Sequence, residues 1–231
     1  MDIATHALAP SGAPETASGP ARGAAAGRTI AWWGFGFAAF YAIFVRFYQA
    51  AGGGLGMAGE MAPEHQAATQ MSSYLAGLLI LLGGVACLYL GVPAVRRIPR
   101  WFPVGGGREI PGTLLLPLCL TPVVAGAVFA VAHAVVGVST KSLALLGVID
   151  IAYPDAWARI DETATAWWDL AFYEPCFLVL GVCLHFSAVA YLRDTGRRTA
   201  AVWTTRVSVG FVAVLAAVGV WMVATGRVWV V

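Results

Sequence analysis

The chain has 231 residues, of which 59% are hydrophobic and 11% charged, and its formal net charge is +2. A soluble domain carries about 25% charged residues, so this composition cannot solvate a globular surface and needs lipid as its solvent. The mean hydropathy of +0.76 says the same, and the small net charge argues against a polyanionic partner, nucleic acid included.

The pattern predicts an all-α transmembrane helix bundle of about five spans. Residues 1–28 are mostly Ala, Gly, Pro, Ser and Thr without an apolar period, which reads as a disordered cytoplasmic tail ahead of a transmembrane domain over 29–231. The apolar stretch after Thr29 lies late and has no small-x-small cleavage site, so it reads as a retained span rather than a signal peptide. Spans are expected at about 30–50, 72–95, 112–138, 165–192 and 207–231, each long enough to cross roughly 30 Å of hydrocarbon. The apolar run 142–151 is too short to cross and reads as interfacial or re-entrant.

Basic residues set the orientation. Arg22 and Arg28 in the tail, Arg96, Arg97, Arg100 and Arg108 after span 2, and Arg193, Arg197, Arg198 and Arg206 after span 4 make ten of the fourteen Lys and Arg residues. The positive-inside rule makes that side cytoplasmic, with the N-terminus inside and the C-terminus outside. The opposite connections carry only Lys141 and Arg159 as basic residues.

Cys87, Cys119, Cys176 and Cys183 all fall in apolar segments and form no C-x-x-C pair, which predicts packed thiols. Cys176 and Cys183 lie about 10.5 Å apart along one helix, too far for a disulfide. Gly77, Gly83, Gly84 and Gly91 predict close packing of span 2. Gly52–Gly54 reads as an outer turn, and Gly105–Gly107 lacks the Lys-Ser/Thr ending of a phosphate loop.

Ionisable residues inside spans are costly and become site candidates by default. These are Arg46 in span 1, His133 in span 3, and Asp169, Glu174 and His185 in span 4. Arg46, His133 and Glu174 come within roughly 10–15 Å of the outer surface at about 1.5 Å per residue, so three helices bring complementary groups to one level. Pro175 cannot donate to the Ala171 carbonyl, which predicts a kink beside Glu174. Five residues apart on an α-helix, Asp169 and Glu174 should point about 140° away from each other and not act as a pair. His185 lies roughly 16 Å deeper than Glu174 and reads as a hydrogen-bonded packing residue. Being in the opposite half of the membrane from His133, it cannot share a haem iron with it.

The segments Tyr48-Gln49-Ala50-Ala51-Gly52-Gly53, Arg96-Arg97-Ile98-Pro99-Arg100-Trp101-Phe102-Pro103 and Trp168-Asp169-Leu170-Ala171-Phe172-Tyr173-Glu174-Pro175 together give the chain a further character. Over about residues 30 to 225 it resembles uncharacterised multi-pass membrane proteins of GC-rich actinobacteria. The resemblance implies a multi-pass plasma-membrane protein and no particular activity.

The sequence alone therefore assigns no activity. In one reading Arg46 or His133 pairs with Glu174 to hold the bundle. In a second, Glu174, His133, Arg46 and Asp169 form a catalytic site on a lipid or isoprenoid, with Glu174 as the acid and Trp168, Tyr173 and Phe177 lining a pocket. A third is a transporter subunit or partner-binding protein. An odd span number and no internal repeat argue against a solo secondary transporter. No cofactor or metal motif is present. Arg96, Arg97 and Arg100 with their aromatic neighbours suit anionic lipid head groups. A reporter fused after Val231 should be active only outside the cytoplasm, and one inserted near Gly105 only inside. The reverse pattern, or one side for both, contradicts the arginine reading.

Overall fold

In the computed structural model of the chain, the residues described are 19–54, 56–98, 100–101, 103, 105–153 and 156–227. Five helices are long and apolar enough to cross a membrane: span 1, Ala25–Ala50; span 2, Pro63–Gly91; span 3, Gly112–Leu145; span 4, Glu162–Asp194; and span 5, Arg198–Ala224. Of the expected tail, residues 1–18 lie outside the described residues, while the first helix already begins at Gly19.

Several boundaries differ from expectation, each for a local reason. Span 2 starts at Pro63 rather than residue 72, because a proline fits the first helical turn, where no N–H partner is needed. Span 4 starts at Glu162 because the Asp161 side chain accepts a bond from the Ala164 N–H at 2.9 Å. Span 3 does not stop at residue 138: the helix runs to Leu145, so Ser142–Leu145 is its last turn and no re-entrant segment exists there. Gly147, at φ +68°, ends it. Its N–H bonds the Ala144 carbonyl, and the Val148 N–H bonds the Leu143 carbonyl, a Schellman stop that only glycine enters without strain. Span 5 ends the same way at Gly226, with φ +65°. It therefore lies nine residues earlier at its start than expected, and residues 228–231 lie outside the described residues.

Span 4 is the axis of the bundle. It packs against each of the other four and is the most buried of them. Spans 1 and 2 approach closely along Gly77, Gly84 and Gly91, one glycine every seventh residue. A Cβ on Gly84 would stand 2.6 Å from the Ala38 Cβ, and one on Gly91 would overlap the Ala31 methyl. Gly83, by contrast, meets only Leu184 at 3.8 Å and is not part of this seam. The outer faces are apolar, as with Leu79 at 70% exposure. Exposed tryptophans sit near both ends, Trp32, Trp33 and Trp203 toward one and Trp167, Trp168 and Trp221 toward the other, the pattern of interfacial belts.

One feature departs from the all-α expectation. β1 (Gly59–Met61) and β2 (Trp157–Ile160) pair antiparallel, with Glu60 opposite Arg159 and a bulge between Glu60 and Met61. The strands belong to the connections after spans 1 and 3, so the ribbon joins both connections into a cap over one end of the bundle. Arg159 bonds Glu60 at 2.7 Å, but both side chains are exposed, and such a pair is worth about 1 kcal/mol at most.

At the other end, Pro93–Arg96 forms a 3₁₀ turn after span 2. Arg96 donates to the Tyr89 and Leu90 carbonyls and stacks over the Tyr191 ring at 5.1 Å, closing the end of span 2. Of the three arginines expected to meet lipid head groups, Arg96 is thus engaged inside the protein, and Arg97 and Arg100 are exposed.

Candidate functional site

On span 3, His133, Gly137 and Lys141 fall at every fourth residue and so share one helix face. That face meets span 4. Lys141 is 1% exposed, and its ammonium sits 2.7 Å from Asp169. The sequence reading had placed Lys141 in an outer connection. It lies instead inside the helix that continues past residue 138.

Span 4 offers both of its carboxylates to this face, contrary to the 140° expectation. The reason is Pro175. Its ring would collide with the carbonyl four residues back, and the chain avoids this by widening the preceding turn into a π-helix, Asp169–Tyr173, in which the Glu174 N–H bonds the Asp169 carbonyl. One extra residue in the turn leaves Asp169 and Glu174 about 40° apart rather than about 140°. The same solution recurs on span 3, where a π-turn over Leu116–Leu120 precedes Pro122. A wide turn, rather than a simple kink, absorbs the proline in both helices.

Glu174 is buried at 4% exposure. Its Oε1 lies 3.8 Å from His133 Nε2, within ion-pair range but beyond hydrogen-bond length. The carboxyl occupies the space that a side chain at position 137 would fill, so Gly137 is what lets it lie against span 3. The His133 ring packs against Phe177, with centroids 4.4 Å apart and planes tilted by 50°, and its side chain is 39% exposed.

Arg46 comes from span 1, on a further π-helical segment, Ala42–Phe47. Its Nη1 donates to Gln49 Oε1 at 3.5 Å, and Gln49 donates in turn to the Tyr173 hydroxyl at 3.1 Å. The guanidinium lies 5.6 Å from the Tyr41 ring centroid, a cation–π distance. Among the described residues no carboxylate comes within ion-pair distance of Arg46.

Arg46, His133, Lys141, Asp169 and Glu174 all line one cavity of about 500 Å³. Val136, Phe177, Met222 and Val223 add apolar wall, and Met57, Met61, Trp157 and Ile160 of the capping connections roof it. Three buried polar atoms on its lining residues find no partner among the described residues: Arg46 Nε, Thr165 Oγ1 and Glu174 Oε2. Tyr153, on the connection after span 3, places its ring 5.2 Å from the Lys141 ammonium. Burial pushes its phenol up to about 12, with Asp169 and Glu162 adding to the effect, so it stays neutral and meets Lys141 through its ring.

His185 is elsewhere, 3.3 Å from the Thr205 hydroxyl of span 5, in the packing role expected of it. The four cysteines are free thiols. Among the described residues no three His, Cys, Asp or Glu side chains converge as a metal site.

Lys141, Gln49, Thr165 and Tyr153 were missed from sequence. Lys141 carried a readable signal, its eight-residue spacing from His133 with no helix breaker before Gly147. The other three carried none, since neutral residues near helix ends are common. Comparison with known protein families, with curated proteins and with solved structures found no match.

The Lys141–Asp169 pair gives a direct test. Lys141→Met and Asp169→Leu should each lower stability in detergent by about 3–5 kcal/mol, because each leaves one charge buried alone. The double variant should lose far less than the two added, and strict additivity would mean that the pair is not coupled.

Proposed function

We propose that this chain is a five-span protein of the plasma membrane, with its N-terminus in the cytoplasm and its C-terminus outside, that binds the anionic head of an amphipathic ligand in its outward-facing half. Arginine asymmetry supports the orientation, which puts the capped cavity on the outer side. Arg46 and Lys141 each lie about 6 Å from the outer ends of their helices, at the level of lipid head groups.

The observation that carries the reading is the charge layout of the cavity. Lys141 and Asp169 neutralise each other at 2.7 Å, while Arg46 has no carboxylate within ion-pair distance among the described residues and keeps its buried Nε without a partner. A buried donor without a partner costs about 1–3 kcal/mol, and a guanidinium is built to take a phosphate or carboxylate through two parallel bonds. The volume lies in the usual range for a ligand site, and the mixed polar and apolar lining suits a head group with chain attached. The Thr165 hydroxyl can donate to the anion, and Glu174 Oε2 can accept from a hydroxyl of the ligand. On the cytoplasmic side, the exposed Arg97 and Arg100 suit contact with anionic lipids of the inner leaflet.

Short-chain phosphatidic acid should raise the melting temperature of the purified protein. Arg46→Met should abolish that rise, and Arg198→Ala, exposed at the start of span 5 and outside the cavity lining, should keep it. A rise of equal size in the Arg46 variant, or none in the wild type, would refute the assignment.

A further inference from the structure

A second cavity of about 310 Å³ lies under the outer cap, and its lining is of another kind. Gln49, Gln66, Thr69, Gln70, Glu60 and Trp157 surround it, beside the turn of Gly52–Gly54. Gln66 and Gln70 stand one helical turn apart at the start of span 2, so both carboxamides project to the same side. Among the described residues of its lining the one carboxylate, Glu60, is already held by Arg159 at 2.7 Å, and there is no cation. Among those residues neither an anion nor a cation finds a free counter-charge. Three carboxamides, each able both to donate and to accept, and the Thr69 hydroxyl, which donates to the His65 carbonyl and is left to accept, match a group with several hydroxyls, and the indole gives it a face to lie on.

The two cavities share a wall. Gln49, Met57, Met61, Thr69, Ser73 and Trp157 line both. Gln49 is the hinge between their chemistries, because its side chain accepts from Arg46 on one side and borders the outer compartment on the other.

We infer that the outer compartment is a subsite for an uncharged polyhydroxylated group, so that the ligand is a phosphate-bearing lipid whose head continues into a polyol or sugar. The phosphate lies at Arg46, the hydroxyls lie among Gln66, Gln70 and Gln49, and the acyl chains remain in the bilayer. The inference rests on the anion-binding reading of the inner cavity and adds the identity of the group beyond the phosphate.

Native mass spectrometry of the full chain, titrated with phosphatidylinositol, phosphatidic acid and phosphatidylcholine of identical acyl chains, separates the two ideas. Wild type should bind phosphatidylinositol about tenfold more tightly than phosphatidic acid, the worth of one or two net hydrogen bonds. Gln66→Ala combined with Gln70→Ala should erase that preference while phosphatidic acid binding, which also reports a folded protein, is retained. Equal or weaker binding of phosphatidylinositol to wild type, or a preference that survives the double variant, overturns the polyol subsite and leaves the anion site standing. Phosphatidic acid binding no better than phosphatidylcholine overturns the anion site itself.

Discussion

The buried ion pair between Lys141 and Asp169 is the contact on which the arrangement of this bundle depends. A lysine that is 1% exposed within an apolar helix is tolerable only with its counter-charge in place, and Asp169 stands 2.7 Å away. The pair fixes the height of span 3 against span 4, the helix that every other span packs on. Once that register is set, Gly137 falls opposite Glu174 and His133 opposite Glu174 and Phe177. A slip of one helical turn would set the His133 or the Lys141 side chain against the space that the Glu174 carboxyl fills and would part Lys141 from Asp169.

The pair also decides what the cavity can do. Without it, three or four free charges would surround one space, and such a site would have no defined preference. With it, two of the charges cancel, Glu174 lies beside His133, and Arg46 remains as a cation that no carboxylate, Glu174 included, approaches to ion-pair distance among the described residues. The three π-turns serve the same end. Two of them carry Arg46 and Asp169, and the one before Pro175 rotates Asp169 and Glu174 onto a common face. Wide turns of this kind cost hydrogen-bond geometry and are frequent at functional sites, which fits their placement here.

Most of the fold was legible because lipid imposes a coarse and strong rule: long apolar runs must become helices that satisfy their own backbones. The number of long apolar helices follows from that rule, and the glycines of span 2 pointed to close packing without showing that span 1 is the partner. Helix ends were less legible. A span expected at 112–138 leaves Lys141 in a connection, whereas the helix stops only where Gly147 permits a left-handed residue. The site was legible in its members and only partly in its pairing. Arg46, His133, Asp169 and Glu174 all line the cavity; of the two partners that depth offered Glu174, His133 lies 3.8 Å away and Arg46 stays outside ion-pair distance, while an ideal helix separated Asp169 from Glu174. Proline announces a disturbed turn in sequence, but whether the turn opens into a kink or widens into a π-helix depends on packing against span 3. The β1–β2 cap left no signal, since a three-residue strand such as Gly59–Met61 is too short for alternation to show.

The central claim is that Arg46 is kept apart from the protein's own carboxylates in order to meet an anion from outside. A density map of the protein, extracted with its native lipids and imaged by electron cryomicroscopy, tests this most directly. The account predicts a head-group density in the inner cavity, in contact with the Arg46 guanidinium and separate from a closed Lys141–Asp169 pair. A collapsed cavity with Arg46 folded onto Glu174 would contradict it, because the ionisable residues would then serve only to hold the helices together.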